Sequence, residues 1–150
     1  MRLEEEINQP RFKSHYQKAH LNILFTAAWL NQNTAQVLKA FNISGQQFNI
    51  LRILRGRHPE PATVKLLTER MIDKMSNASR LVEKLKQKGL VERHACPEDR
   101  RRVDIVITER GMQTVNEASR ALEDGERALN QQLSPEEAKL LSDLLDKLRG

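Results

Sequence analysis

The sequence of 150 residues has few of the residues that mark extracellular or membrane proteins. Its single cysteine, Cys96, excludes an intramolecular disulfide. Apolar runs such as Ile23-Leu24-Phe25 are too short to cross a bilayer, and no apolar N-terminal stretch precedes a cleavage site. We therefore expect a cytoplasmic protein that has no membrane partner.

Common enzyme motifs are missing as well. The sequence contains no Gly-rich phosphate loop, no His-Glu-x-x-His and no Gly-x-Ser-x-Gly. The pair His94 and Cys96 offers two metal ligands, but a metal site usually needs three or four, and the other histidines lie elsewhere in the sequence. We predict no catalytic residue, no metal site, no cofactor and no enzymatic activity.

What the sequence does have is a concentrated basic segment. Residues 74–102 contain nine Lys and Arg against four Asp and Glu, a local charge of +5 that equals the net charge of the whole chain. The net charges of the flanking segments cancel, because residues 1–73 carry +4 and residues 103–150 carry −4. Such a segment indicates a polyanionic partner or, equally well, a solvated surface.

Apolar periodicity and capping signals predict a mainly α chain (α+β) with one short hairpin. After a frayed MRLEEE segment, Pro10 is expected in the first turn of a long helix, and Ser44-Gly45-Gln46-Gln47 has the capping-box pattern. Gly89 suits a left-handed cap, and Thr108 can cap the following helix. The predicted helices cover 11–40, 44–57, 64–70, 74–88, 109–131 and a stretch from 134, and the strands cover 90–95 and 103–108.

The order of these elements predicts a winged helix. Two short helices with a tight join form a helix-turn-helix candidate, and a hairpin follows at once. Its tip and second strand, residues 97–108, read PEDRRRVDIVIT and hold three consecutive arginines. Guanidinium groups suit a narrow minor groove of high negative potential, while the preceding helix occupies the major groove. We therefore predict double-stranded DNA as the partner.

At these residues the chain resembles the MarR family of bacterial transcription regulators. Asp99-x-Arg101-x-x-x-Ile105-x-Ile107-Thr108 is similar to the family's wing signature D-x-R-x-x-x-V-x-L-T, with conservative departures at Ile105 and Ile107. Residues 73–93 look like the family's recognition helix and its exit into the wing, and the helix order is similar over nearly the whole chain.

The resemblance implies a homodimer with one intertwined domain in each chain. Residues 1–40 and 109–150 would form the helical dimerisation region, and residues 41–108 the winged helix-turn-helix region. It implies a repressor that binds a pseudo-palindromic operator with half-sites about one helical turn apart and is relieved by a small-molecule ligand. The alternative is a winged-helix module for protein interaction or RNA binding. A protein-interaction module does not need arginines at a hairpin tip, and an RNA-binding module usually presents aromatic residues for stacking, which this segment lacks.

The predicted recognition helix starts near Lys74 and buries Leu81, Val82 and Leu85. Arginine has the geometry to contact guanine, asparagine matches adenine, and small hydroxyl side chains let a helix approach the bases closely. Lys84 either neutralises a phosphate or only increases solubility. The alternative for the whole outward side of this helix is that it is a solvated surface with no DNA contact. The outward residues predicted to contact DNA are Ser76, Asn77, Ser79, Arg80 and Lys84.

In the wing, the resemblance pairs Asp99 with Arg101. The carboxylate is expected to accept hydrogen bonds from the guanidinium and to hold it in one pose for the minor groove. Arg100 or Arg102 would then contact phosphate. The alternative is that the three arginines are disordered in solvent.

Many members of the family bind small anionic aromatic ligands between the dimer helices and the DNA-binding lobe. In this sequence Phe25, Trp29, Phe48 and Leu51 are candidates to line such a pocket, with His15 or His20 as the polar group. Aromatic residues at helical spacing are also typical of a plain core.

Overall fold

The computed structural model describes the side chains of residues 1–127 and 130–150 and has the predicted order of helices and strands. The helices are α1 (Leu3–Glu6), α2 (His15–Leu38), α3 (Gly45–Arg57), α4 (Val64–Arg70), α5 (Ala78–Gln87), α6 (Glu109–Asn130) and α7 (Pro135–Arg149). The strands are β1 (Val91–Ala95) and β2 (Val103–Ile107), and a 3-10 turn, Lys39–Phe41, follows α2. The predicted mainly helical winged fold is confirmed.

Helix α2 begins later than the sequence analysis predicted. Ser14 Oγ accepts a hydrogen bond from Gln17 N at 3.1 Å, and Gln17 Oε1 accepts one from Lys13 N at 2.7 Å. These bonds satisfy amides that the helix itself leaves unpaired, so the helix starts at His15. The expectation that Pro10 lies in the first turn is wrong, because the Ser14 cap is the stronger start signal.

The N-terminus forms the helical turn α1 and not the frayed end that we expected. Leu3 is buried, and Lys18 Nζ on α2 donates to the Glu4 carboxylate. This hydrogen bond is the main reason that the pKa of Glu4 is lowered from its ordinary value. The first residues are therefore held to α2 by the Lys18–Glu4 ion pair, and Leu3 beside it is buried.

The hydrophobic core lies within the winged helix and the first half of α6. Its largest fully buried side chains come from every α-helix and strand between the end of α2 and the middle of α6. They are Leu38, Ile50, Leu51, Leu54, Leu67, Met71, Val82, Leu85, Val91, Ile105 and Val115.

The hairpin is fastened to the helix-turn-helix through its second strand. β1 pairs with β2 in antiparallel register, with Val91 opposite Ile107 and Ala95 opposite Val103. On the other edge of β2, Ile105 exchanges two backbone hydrogen bonds with Ala62, at 2.9 and 2.8 Å. Because Ala62 lies just before α4, the wing and the helix-turn-helix form one structural unit.

The entry into α6 is closely packed. Gly89 has φ +74°, as predicted for a left-handed cap, and its carbonyl accepts a hydrogen bond from Thr108 Oγ1 at 2.7 Å. Thr108 Oγ1 also accepts from Gly111 N at 3.0 Å, which confirms Thr108 as the cap of α6. A Cβ atom on Gly111 would lie 2.1 Å from the Leu90 carbonyl oxygen, so this position requires glycine.

Helix α7 is the element with least burial. It begins with the predicted capping box, in which Ser134 and Glu137 exchange side-chain to backbone hydrogen bonds of 3.2 and 2.8 Å. It contains no buried residue, although Leu141, Leu144 and Leu148 follow one another at helical spacing. Among the described residues, no helix combines the length and the apolar character needed to span a membrane.

Candidate nucleic-acid interface

The recognition helix α5 is shorter than predicted and begins at Ala78. Asn77 is its N-cap: Oδ1 of Asn77 accepts a hydrogen bond from Arg80 N at 3.1 Å. Ser76 lies in the preceding turn, where its Oγ accepts a hydrogen bond from Gln46 Nε2 at 3.1 Å. The prediction of a helix from Lys74 is therefore wrong, and Ser76 and Asn77 lie at its entrance and not on its face.

The outward and inward sides of α5 follow the predicted pattern. Val82 and Leu85 are buried, whereas Ser79, Arg80 and Lys84 are exposed. Two of these three exposed side chains are cationic, so the helix presents a positive face to solvent. The contact of this face with DNA stays a prediction.

Three side chains hold the turn between α4 and α5 in place. Gln46 Nε2, at the start of α3, donates to Asp73 Oδ2 and to Ser76 Oγ, each at 3.1 Å. Asn49 Oδ1 accepts from Ile72 N at 2.9 Å, and Asp73 Oδ1 accepts from Met75 N at 2.9 Å. We call Gln46, Asn49 and Asp73 the turn clamp.

The turn clamp was not predicted from the sequence. The available signal was Asn49, a polar residue that is buried beside Ile50 and Leu51. A buried amide needs a hydrogen-bond partner, and here that partner is a backbone amide 23 residues away. Its sequence position alone does not identify which amide it bonds.

At the wing tip, Asp99 shapes the turn. Its Oδ1 accepts a hydrogen bond from the backbone N of Arg101 at 3.0 Å, and its carbonyl accepts from Arg102 N at 3.1 Å. The carboxylate therefore bonds the backbone of Arg101 and not, as predicted, its guanidinium. The reason is local geometry, because an aspartate side chain readily reaches the amide two residues further on.

The three wing arginines are not equivalent. Arg102 Nε donates to Asp104 Oδ1 at 2.9 Å, and this hydrogen bond and the Asp104 charge raise the pKa of Arg102 above its ordinary value. Arg100 and Arg101 are exposed, and within the part of the chain that is described their guanidinium groups contact no carboxylate. The uncompensated positive charge of the tip therefore lies on Arg100 and Arg101.

An ion pair joins the wing to the recognition helix. Arg93 Nη1 on β1 lies 3.0 Å from Glu83 Oε2 on α5, and both side chains are partly exposed. On the same strand, His94 Nε2 lies 3.1 Å from Glu92 Oε2, and Cys96 follows as a half-buried free thiol. Among residues with described side chains, no three His, Cys, Asp or Glu residues form a potential metal site.

A cleft of about 660 Å³ opens between the helix-turn-helix and helices α2 and α6. Of the predicted pocket residues, only Phe48 lines it. Leu51 is fully buried in the core, Phe25 and Trp29 are half-buried on α2, and His15 is exposed. The lining residues are Asn31, Thr34, Ser44, Gly45, Gln46, Phe48, Asn49, Arg52, Met71, Ile72, Asp73, Leu122 and Glu126.

The winged-helix part of the chain matches a known family. A sequence model of the MarR family matches residues 41–102, which include the turn clamp, α5 and the wing tip. Among solved structures, the chain is similar to a MarR transcription factor from Planctomyces limnophilus, with 28% identity and a TM-score of 0.69. That match covers 91% of this chain and 98% of the other.

Two further structures are similar in fold. One is MepR from S. aureus in complex with DNA, with 23% identity, a TM-score of 0.73, and coverage of 90% of this chain and 96% of that chain. The other is the organohalide-sensing transcriptional regulator RdhR-CbdbA1625 in its 2,4-dichlorophenol-bound form, with 22% identity, a TM-score of 0.79, and coverage of 93% and 85%. Residues 41–102 therefore match the MarR family, and the whole chain is similar in fold to solved MarR-type transcription regulators.

Proposed function

We propose that this protein binds double-stranded DNA sequence-specifically and regulates transcription as a homodimer. The observation that carries the proposal is one set of exposed cations on the winged helix: Arg80 and Lys84 on α5, and Arg100 and Arg101 at the wing tip. We call these four residues the cationic surface. The DNA complex of MepR, which has a similar fold, supports the same use of this surface.

In this proposal α5 enters the major groove and the wing tip enters the minor groove. Arg80 contacts a base and Lys84 a phosphate, while Ser76, Asn77 and Ser79 lie close to the DNA at the start of the helix. Small polar side chains there permit close approach.

In this proposal the three wing arginines make different contacts with the DNA. Arg101 is inserted, because its backbone is held by Asp99 and its guanidinium has no carboxylate partner. Arg100 contacts phosphate. Arg102 contributes less than the sequence analysis expected, because Asp104 already neutralises it.

The homodimer is proposed from the terminal helices, residues 1–40 and 109–150. Leu141, Leu144 and Leu148 form an exposed apolar stripe on α7, and Leu24 and Leu30 are exposed on α2. Large exposed apolar areas usually mark an interface. A two-fold dimer would place two copies of α5 on half-sites of a pseudo-palindromic operator, about one helical turn apart.

We further propose that the protein is a cytoplasmic repressor that releases DNA when a small anionic aromatic ligand binds. The cleft beside the helix-turn-helix offers Phe48 for an aromatic ring and the Arg52 guanidinium for an anion. His15, Phe25, Trp29 and Leu51 stay predictions for the ligand site. The dichlorophenol-bound form of RdhR-CbdbA1625 supports ligand control within this fold.

The test begins with selection of an operator from random-sequence DNA, followed by fluorescence anisotropy on the operator and on random DNA. Arg80→Ala should reduce the discrimination between the two by roughly 1 to 3 kcal/mol, because a base contact is lost. Lys84→Ala, the matched control, should weaken binding to both DNAs by the same factor. Failure of selection to enrich any sequence, or equal affinity for an RNA duplex of the operator sequence, would contradict the proposal.

A further inference from the structure

The turn between α4 and α5 exposes two large apolar side chains. Met75 is 91% exposed and Ile72 is 81% exposed. Ile72 lines the cleft, so its exposure belongs to that site, whereas Met75 lies outside the cleft lining. Met75 is the more exposed of the two and lies within the basic segment 74–102.

The backbone around Met75 is held firmly. Met75 N donates to Asp73 Oδ1 at 2.9 Å, and Ser76 N donates to the Asp73 carbonyl at 3.2 Å. Gln46 then bonds both Asp73 and Ser76, which fastens the turn to α3. The Met75 side chain is therefore presented from a fixed backbone position, in the way that a contact residue should be.

Its place in the fold favours DNA as the partner. Met75 lies two residues before Asn77, the N-cap of α5, and the N-terminal end of a recognition helix is the part that contacts base edges. Its neighbours Lys74 and Arg80 are exposed cations, which suit a polyanion. In the major groove, the apolar group that a base pair presents is the C5-methyl group of thymine.

We propose that Met75 is a specificity-determining residue that contacts a thymine methyl group in each half-site of the operator. The inference rests on the proposed function, because it needs α5 in the major groove. A methionine side chain suits this contact, since it is unbranched, polarisable and able to adapt to the surface of a methyl group.

The experiment replaces thymine by uracil, which lacks only the methyl group, at each position of the selected operator. For the wild-type protein, one thymine in each half-site should show about a four-fold loss of affinity, or about fifteen-fold when both half-sites are changed. Met75→Ala should bind the thymine and uracil forms of that position equally. Met75→Leu, which keeps an apolar side chain, should retain most of the difference.

Two controls separate this contact from other effects. The midpoint of thermal unfolding should be the same for Met75→Ala and wild type, because the side chain is exposed. Met75→Gln, of similar length but polar, should lose the preference as Met75→Ala does.

The outcomes distinguish this inference from the proposed function. If the wild-type protein enriches no DNA sequence, the proposed function fails and this inference fails with it. If it binds an operator but treats thymine and uracil alike at every position, only the Met75 contact is overturned. Retention of the full thymine preference by Met75→Ala would overturn it as well.

Discussion

At the residue scale, two glycines of α6 have opposite surroundings. Gly111 faces the base of the wing so closely that an added Cβ would lie 2.1 Å from the carbonyl oxygen of Leu90, just before β1, and 2.7 Å from Ile107 Cγ1 on β2. An added Cβ at Gly125 would meet no atom within 4 Å. Replacing each glycine by alanine therefore distinguishes the effect of close packing on stability from the effect of helix propensity.

Gly111→Ala should destabilise the protein by about 1 to 3 kcal/mol, because the backbone oxygen of Leu90 cannot move aside without disturbing the junction between α5 and the wing. Gly125→Ala should instead stabilise it by about 0.5 to 1 kcal/mol, since alanine loses less backbone entropy than glycine within a helix. Urea denaturation measures both values. Equal stability of the Gly111→Ala variant and wild type would show that the junction is looser than described.

The wing arginines give a second comparison at this scale. Arg101→Ala should weaken operator binding at least about ten-fold, because a guanidinium with no carboxylate partner is lost from the minor groove. Arg102→Ala should weaken it less, because Asp104 already holds that side chain. Titrations at several salt concentrations, together with thermal unfolding, test this. A fall in unfolding midpoint that matches the loss of binding would make Arg101 structural.

At the scale of elements, the turn clamp decides where the recognition helix begins. Local sequence allows either Ser76 or Asn77 to cap α5, since both residue types are good caps. The Ser76 hydroxyl is already bonded to Gln46 on α3, and Asn77 makes the cap. The start of α5 is thus set by a contact between α3 and the turn before α5.

Gln46→Ala should therefore lower the ratio of operator to random-DNA affinity by about five-fold, because the loss of hydrogen bonds worth about 1 kcal/mol lets the turn move. Ser76→Ala should have a similar effect through loss of the acceptor. Ser76→Thr keeps the hydroxyl and should therefore retain the wild-type ratio of operator to random-DNA affinity. If the Ser76 side chain only filled space, the larger threonine would not be expected to retain that ratio. Unchanged discrimination in both alanine variants, measured by anisotropy, would contradict this role of the clamp.

At the scale of the whole molecule, α7 differs from the other long helices in having no buried residue along its described length. Its leucine stripe is exposed, whereas the winged helix and the first half of α6 share a continuous core. An apolar stripe of this length needs a surface to cover it, and a second copy of the chain supplies the same stripe by symmetry. The proposed two-fold arrangement of the DNA-binding units therefore depends on α7 and its neighbours at the chain termini.

Leu144→Lys should convert the dimer to a monomer at micromolar concentration, because it puts a charge in the middle of the stripe. Asp143→Lys adds a lysine on the opposite face of the same helix and should leave the dimer intact. Sedimentation velocity measures the oligomeric state of both variants. The monomeric variant should also lose its preference for a two-half-site operator over a single half-site.

The sequence by itself determined the features that depend on neighbouring residues. Helical spacing gave the order of the helices, the capping boxes at Ser44 and Ser134 marked two helix starts, and Thr108 marked a third. The run Arg100–Arg102 already located the positive charge of the wing tip. These features are local, because caps, turns and periodicity involve residues only a few positions apart.

The tertiary structure alone decided which of those side chains remain available for a partner. Ser76 is bonded to Gln46, 30 positions earlier, and Asn49 bonds the backbone amide of Ile72, 23 positions later. The cleft likewise draws its lining from α2, α3, α6 and the turn before α5, so Phe48 alone of the predicted pocket residues lines it. The physical reason is that each polar group bonds whichever partner folding brings within about 3 Å, and separation along the chain does not indicate that distance.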